Sequence, residues 1–398
     1  MTTIFRISRC AKPALAVALV AGLTAASAHE PPLPPANGFL FWTPAQQRVG
    51  YRNIEKIFPV RVVRRGGKVS PLPDADKSFD VSYRFHGERL DTGGFMAANN
   101  VSGLLIVQGG KVLLERYGLG RTARDRWTSF SVAKSVTSTL VGAAIKDGFI
   151  SSVDARIATY LPELKGTAYD GVRVRDLITM RSGVKWNENY SDPKSDVNLF
   201  GAEPLPKNGA DPVEAYMARL PRAHPPGMVF NYNTGETDLA GILVARATHK
   251  HLADYLSERI WSKIGTEQDA VWMLDGAGNE HGGCCISMTL RDYARFGLFF
   301  MHGGRANGED VLPRGWVEAA STKQTASDFA GLGYGYFWWI HTDCSYEAVG
   351  IFGQSILLVP KLDLVIVTNS AWPEADADRF YAARDAYVAA VRAALRAR

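Results

Sequence analysis

The chain has 398 residues, with 45 Lys+Arg against 40 Asp+Glu, 46% hydrophobic and 21% charged residues. That composition excludes a disordered, collagenous or multi-span membrane protein, and the length predicts more than one small module. Three of the bases fall in the first 28 residues, where there is no acid, so the rest is near neutral and has no basic block suited to nucleic acid.

Those first residues read as a processing signal. Arg6, Arg9 and Lys12 form a basic region, Ala14 to Ala25 is apolar, and Ala26-Ser27-Ala28 supplies the small residues that predict cleavage before His29. The apolar run is shorter than the roughly 20 residues a spanning helix needs, so an uncleaved anchor is the weaker alternative. Export, to a bacterial periplasm, is the expectation. No later segment is long and apolar enough to span a membrane.

Residues 29–100, with Pro31, Pro32, Pro34 and Pro35 near the start, predict an extended N-terminal arm with irregular structure. Val101 to Gln108 and Lys111 to Tyr117 flank Gly109-Gly110, a β-hairpin signal. Ser131 to Lys146 has apolar residues at helical intervals and little polar face, which predicts a buried helix closed by Asp147-Gly148. Asp176 to Arg181, Pro212 to Leu220 and Thr237 to Ile264 also read as helices, with a long loop from Ser182 to Pro206. Strands are expected at Gly333 to Ile340, Tyr346 to Gly350, Ser355 to Val359 and Leu364 to Thr368. Ala375 to Arg398 reads as a closing amphipathic helix.

The order predicts an α/β fold: an antiparallel sheet flanked by helices, built from 101–160 and 275–398, with a mostly helical lobe inserted at 161–274. Cys284, Cys285 and Cys344 remain after the signal. Neighbouring cysteines rarely bridge without strain, so one of the first two pairing with Cys344 is the expected bridge, and three reduced thiols are the alternative. Their spacing is not that of a zinc site, and no metal or organic cofactor is implied.

No G-x-S-x-G elbow, H-E-x-x-H, Walker loop or full G-x-G-x-x-G is present. Gly331 to Gly335 reads as a bend before a strand, and His249 and His251 as solvated. The positive signal is Ser131-Val-Ala-Lys134. S-x-x-K recurs at Ser182 to Lys185 and Ser191 to Lys194, but a serine and lysine three apart face each other only on a helix. Gly183 and Pro193 argue against helix in both. Ser131 alone opens a buried helix, where first-turn N–H groups and the dipole favour developing negative charge. A serine hydroxyl needs a base within reach, and burial would push Lys134 toward the neutral amine.

Five segments then resemble a known family in order: Ser129-Phe-Ser-Val-Ala-Lys-Ser, Asn187-Glu-Asn-Tyr-Ser-Asp-Pro, Phe230-Asn-Tyr-Asn-Thr-Gly-Glu-Thr-Asp, Leu290-Arg-Asp-Tyr-Ala-Arg-Phe-Gly and Gly350-Ile-Phe-Gly-Gln. The chain resembles the penicillin-recognising serine hydrolases, which include class C β-lactamases, and within them the 6-aminohexanoate-dimer (nylon-oligomer) hydrolase branch. The resemblance spans about Val101 to Thr368 and implies the β-lactamase/transpeptidase-like fold. It assigns Ser131, Lys134 and Tyr232 to catalysis, the phenol's pKa being lowered by a nearby ammonium so that it shuttles a proton. It implies that the backbone N–H groups of Ser131 and Ile351 hold the oxyanion, and that Tyr190 and Gly350 face substrate.

Two departures bear on substrate. The third family motif falls on Ala348-Val349-Gly350, which keeps the glycine but lacks the cation that holds a substrate carboxylate. The acidic residue that the nylon-oligomer branch uses for the substrate's amino end falls near Gly201, which has no charge. The expected function is a serine hydrolase that forms an acyl-enzyme with a small ester or amide. A β-lactamase or D-Ala-D-Ala carboxypeptidase is one alternative, and a non-catalytic binding or scaffold protein of the same fold is the other.

Overall fold

Apolar side chains fill both faces of the central strands. Leu104 and Ile106 belong to one hydrophobic cluster, Leu105 and Val107 to another, as the two-residue period of a strand requires. A sheet covered on both sides reads as continuous apolar runs, which Ile356–Val359 and Leu364–Val367 also are. The structure, a computed structural model, describes residues 32–202, 206, 211–329 and 331–397; the expected signal peptide lies outside them.

The N-terminal segment is more ordered than expected. Helix α1 (Pro44–Gly50) begins at Thr43, whose side chain accepts from the Gln46 N–H in a capping box. Strand β1 (Val60–Val63) pairs antiparallel with β5 (Ala270–Met273). That partner is some two hundred residues away, so no local pattern announces the strand. A hairpin (Ser82–Phe85 with Glu88–Asp91) and a short helix (Thr92–Ala98) follow.

The predicted hairpin is β2 (Val101–Gln108) with β3 (Lys111–Tyr117). Strand β4 (Trp127–Thr128) leads into helix α2 (Val132–Lys146), nearly all of it buried. Helix α3 (Thr234–Thr248) packs against α2. The helix expected over Thr237 to Ile264 is broken: His249 adopts a left-handed φ of 55°, and Leu252–Leu256 and Ser257–Trp261 follow as separate turns. His249 and His251 are exposed. Strands β5 and β6 (Ile286–Met288) complete a four-stranded sheet in the order β1, β5, β6, β4.

Helix α4 (Leu290–Met301) lies on the inner face of the main sheet. That sheet has eight strands, every neighbouring pair antiparallel: β7 (Thr325–Ala326), β8 (Gly333–Tyr334), β9 (Trp339–Ile340), β10 (Tyr346–Gly350), β11 (Gln354–Val359), β12 (Leu364–Ser370), then β2 and β3. The aromatic run Gly333–Ile340 is therefore two short strands, not one. Phe337, at φ 58°, turns the chain between them. Helix α5 (Asp378–Arg396) covers the outer face through Tyr387, Val391 and Leu395.

The cysteine expectation is corrected. Cys284 is bonded to Cys285, and Cys344 is free and exposed. Cys285 takes a left-handed φ of 70° in the turn before β6, whereas Cys344 sits in the turn between β9 and β10. Among the described residues no helix is long and apolar enough to cross a membrane.

Candidate active site

Ser131 is the N-cap of α2. A serine there ordinarily accepts a hydrogen bond from the helix's first turn, but this hydroxyl makes no capping bond. Its oxygen instead accepts from Lys134 Nζ at 3.2 Å, as the three-residue spacing on a helix predicts. The preceding residue, Phe130, has a left-handed φ of 44°. Such strain in a bulky residue persists only when its surroundings enforce it. Phe130 is 1% exposed and packs against Phe39, Tyr51 and Phe352.

Lys134 is buried, 1% exposed. Its ammonium also donates to Thr234 Oγ1 and to the Gly283 carbonyl, both at 2.9 Å. Burial pulls its pKa from the ordinary lysine value to about 8, while the Glu188 and Asp238 carboxylates act in the opposite direction. Asp238 lies one turn beyond Thr234 on α3 and accepts from the Gly283 N–H at 2.6 Å. It thereby anchors, through its N–H, the residue whose carbonyl accepts from Lys134.

Tyr232 immediately precedes Asn233, the N-cap of α3. Its ring stacks on Trp339 with centroids 5.5 Å apart, and Lys134 Nζ is 5.3 Å from its centroid. Ser131 and Tyr232 line the same cleft, and the serine hydroxyl acts to lower the phenol's pKa. Ser131, Lys134 and Tyr232 are thus brought together at the starts of two helices. The expected lowering of the phenol's pKa is not found. Burial and the Glu188 charge push it well above the ordinary tyrosine value, outweighing the influence of Ser131.

Gly350 ends β10 against this segment. A Cβ built there would lie 2.4 Å from the Ser129 carbonyl oxygen and 3.0 Å from the Ser131 backbone nitrogen. Only glycine permits so close an approach. Ile351 follows and is 8% exposed. Ser131, Tyr190 and Ile351 line both of two adjoining clefts, one of about 500 Å³ and one of about 220 Å³. Thr234 and Gly201 line the larger, Tyr232 and Glu188 the smaller.

Glu188 is the main residue the sequence reading left unassigned. It receives hydrogen bonds from the Thr234 N–H at 3.0 Å, from the Tyr190 hydroxyl at 2.8 Å, and from Thr234 Oγ1 and Trp186 Nε1. Lys134, Thr234 and Glu188 therefore form a chain in which the threonine hydroxyl accepts from the amine and donates to the acid. No spacing rule links 134, 188 and 234. The other two S-x-x-K serines serve structure: Ser182 donates to Glu236 and Ser191 to Asn189. Among the described residues no group of three His, Cys, Asp or Glu could hold a metal ion.

The family model for beta-lactamase matches residues 93–390. A 6-aminohexanoate-dimer hydrolase of Paenarthrobacter ureafaciens is 33% identical over 288 residues, 68% of this chain and 73% of that protein. A Bacillus anthracis structure provisionally named a 6-aminohexanoate-dimer hydrolase matches with a TM-score of 0.77 and 25% identity, over 90% of this chain and 98% of its own. A family VIII carboxylesterase shares the fold at a TM-score of 0.58 and 16% identity, over 75% of this chain and 95% of its own. The chain belongs to the beta-lactamase family, as a hydrolase related to the 6-aminohexanoate-dimer hydrolases.

Proposed function

We propose that the protein hydrolyses small esters or amides through an acyl-enzyme on Ser131. The observation that carries this reading is a buried lysine, its pKa down at about 8, with its amine 3.2 Å from an uncapped serine hydroxyl. Neutral Lys134 takes the hydroxyl proton as Ser131 Oγ bonds to the substrate carbonyl carbon. The N–H groups of Ser131 and Ile351 receive the developing oxyanion. When the intermediate collapses, the leaving atom takes the hydrogen of the Tyr232 hydroxyl, and the phenol regains one from the Lys134 ammonium. Its raised pKa keeps it protonated and ready for that role. Water then adds to the acyl group with the same groups acting in reverse, which frees the acid and Ser131.

Ala348 stands where β-lactam and D-Ala-D-Ala enzymes carry a cation for the substrate carboxylate. A charge-assisted bond of that kind is worth about 1.5–3 kcal/mol, so its loss weighs against β-lactamase or carboxypeptidase activity. A fluorophosphonate probe should label the protein, and Ser131→Ala should abolish both labelling and turnover. A panel of p-nitrophenyl esters, linear amides and nitrocefin ranks substrates; label retained in Ser131→Ala, or nitrocefin as the best substrate, would overturn the reading. Export is part of the same proposal: the protein recovered from the periplasm should begin at His29, and a chain retaining Met1 in the cytoplasm would refute it.

A further inference from the structure

The larger cleft beside Ser131 is walled by a part of the chain that precedes the family match. That match begins at residue 93, yet Phe39, Leu40 and Phe41 line the cleft, facing it together with Phe58, Val197 and Phe200. The segment is built into place. The Trp42 indole N–H donates to the Pro35 carbonyl at 2.9 Å. Trp42 is 4% exposed and seats against Gly50, where a Cβ would come within 2.2 Å of its ring. Phe39 stacks on Phe130, the residue before Ser131, with centroids 5.1 Å apart and planes 13° from parallel. It also meets the edges of Trp42 and Phe58 at 4.9 and 5.3 Å.

Which part of a substrate occupies this cleft follows from the proposed mechanism, on which the inference rests. Tyr232, the donor to the leaving atom, lines the smaller cleft and not the larger. The leaving group therefore departs on the smaller side, and the acyl group extends into the larger. Two ionisable side chains there already have partners within the protein, Asp275 through Oδ1 alone. Asp275 accepts from the Ala277 and Asn279 N–H groups at 2.8 Å, and His281 faces Asp238 at 3.6 Å. Phe41 is 51% exposed, an apolar surface that an occupant of the cleft would cover.

We infer that residues 36–41 form the outer wall of an acyl pocket and make the enzyme selective for substrates with an uncharged, medium-length apolar acyl chain. Sequence position hides this wall, because it is contributed by the segment that reads as an arm.

The test measures kcat/KM for p-nitrophenyl acetate and octanoate in the wild type, Phe39→Ala and Phe41→Ala. The wild type should favour octanoate, and each variant should lower the octanoate-to-acetate ratio about tenfold, a usual size for lost pocket contacts. Phe41 is half exposed, so its variant removes wall without disturbing the aromatic cluster. A wild type indifferent to chain length, or ratios unchanged in both variants, would overturn the inference. Ser131→Ala separates the two claims: if it abolishes turnover while the ratios stay fixed, only the wall fails. If turnover survives Ser131→Ala, the mechanism fails first.

Discussion

Lys134 owes its chemistry to what surrounds it. Its three acceptors are a hydroxyl, a second hydroxyl and a carbonyl, none of which repays the loss of water around a charge. Burial therefore dominates, and the pKa near 8 predicts that kcat/KM rises with pH along a limb centred there. Glu188 raises that pKa, so Glu188→Gln should move the limb to lower pH even if the maximum rate falls; a pH profile on an acetyl ester measures it, and a limb that stays put or moves up contradicts the assignment. Tyr232→Phe removes the proposed leaving-group donor and should cost about 10²–10⁴ in rate, read from the same assay. At Gly201 a Cβ meets nothing within 4 Å, so Gly201→Asp can place a carboxylate at the larger cleft without a clash. Because the position is exposed, the ion pair is limited to about 1 kcal/mol. Amides with an amino-terminal acyl group should gain up to about fivefold over uncharged analogues; no relative gain would show that the charge does not reach the acyl end.

One strand end sets the spacing of the whole site. Gly350→Ala on β10 drives a methyl into the Ser129 carbonyl and the Ser131 nitrogen. Both are backbone atoms, so the strand or the segment carrying Ser131 must shift. Misaligning one oxyanion donor costs about 10²–10³ in rate, and that loss, with probe labelling slowed but Ser131 still present, is the expected result. How much of this was legible follows the range of each interaction. The β2–β3 hairpin, α2 and its Ser131–Lys134 pair are local, and local periodicity reports them. Tyr232, Ile351 and Gly350 became visible only through resemblance, because 131, 232 and 351 meet across the fold. Strand β1 was missed since its partner is β5, and the β8–β9 turn was missed because its left-handed residue is Phe337 and not the neighbouring Gly335. The Cys284–Cys285 bond went against the ordinary rule for neighbouring cysteines. The lowered phenol pKa failed for a different reason: it counted the lysine but not burial or Glu188.

At the scale of the molecule, the sheet and its last helix are joined by a charge buried in the middle of the sheet. Glu347 on β10 receives Arg384 Nη2 from α5 at 3.1 Å, His341 Nε2 at 3.1 Å and the Ser355 hydroxyl at 3.2 Å. The Glu347 and Arg384 side chains are 3% and 6% exposed. Burial alone would raise the carboxyl's pKa, but Arg384, His341 and Ser355 together outweigh it and hold the value at about 2. A carboxyl depressed in the folded state stabilises the fold above its unfolded pKa, about 4.3 for glutamate, and that contribution fades as pH falls toward 2. Arg384→Met keeps most of the apolar bulk and leaves Glu347 buried without its main partner, which should cost about 3–5 kcal/mol at pH 7. In the variant the pull of burial prevails, so protonating Glu347 relieves the fold where in the wild type it weakens it. The stability gap between the two proteins should therefore narrow as pH drops from 7 to 3. Urea unfolding at both pH values measures it. A gap that stays constant would mean that the cost of losing Arg384 does not come from leaving the Glu347 charge unpaired.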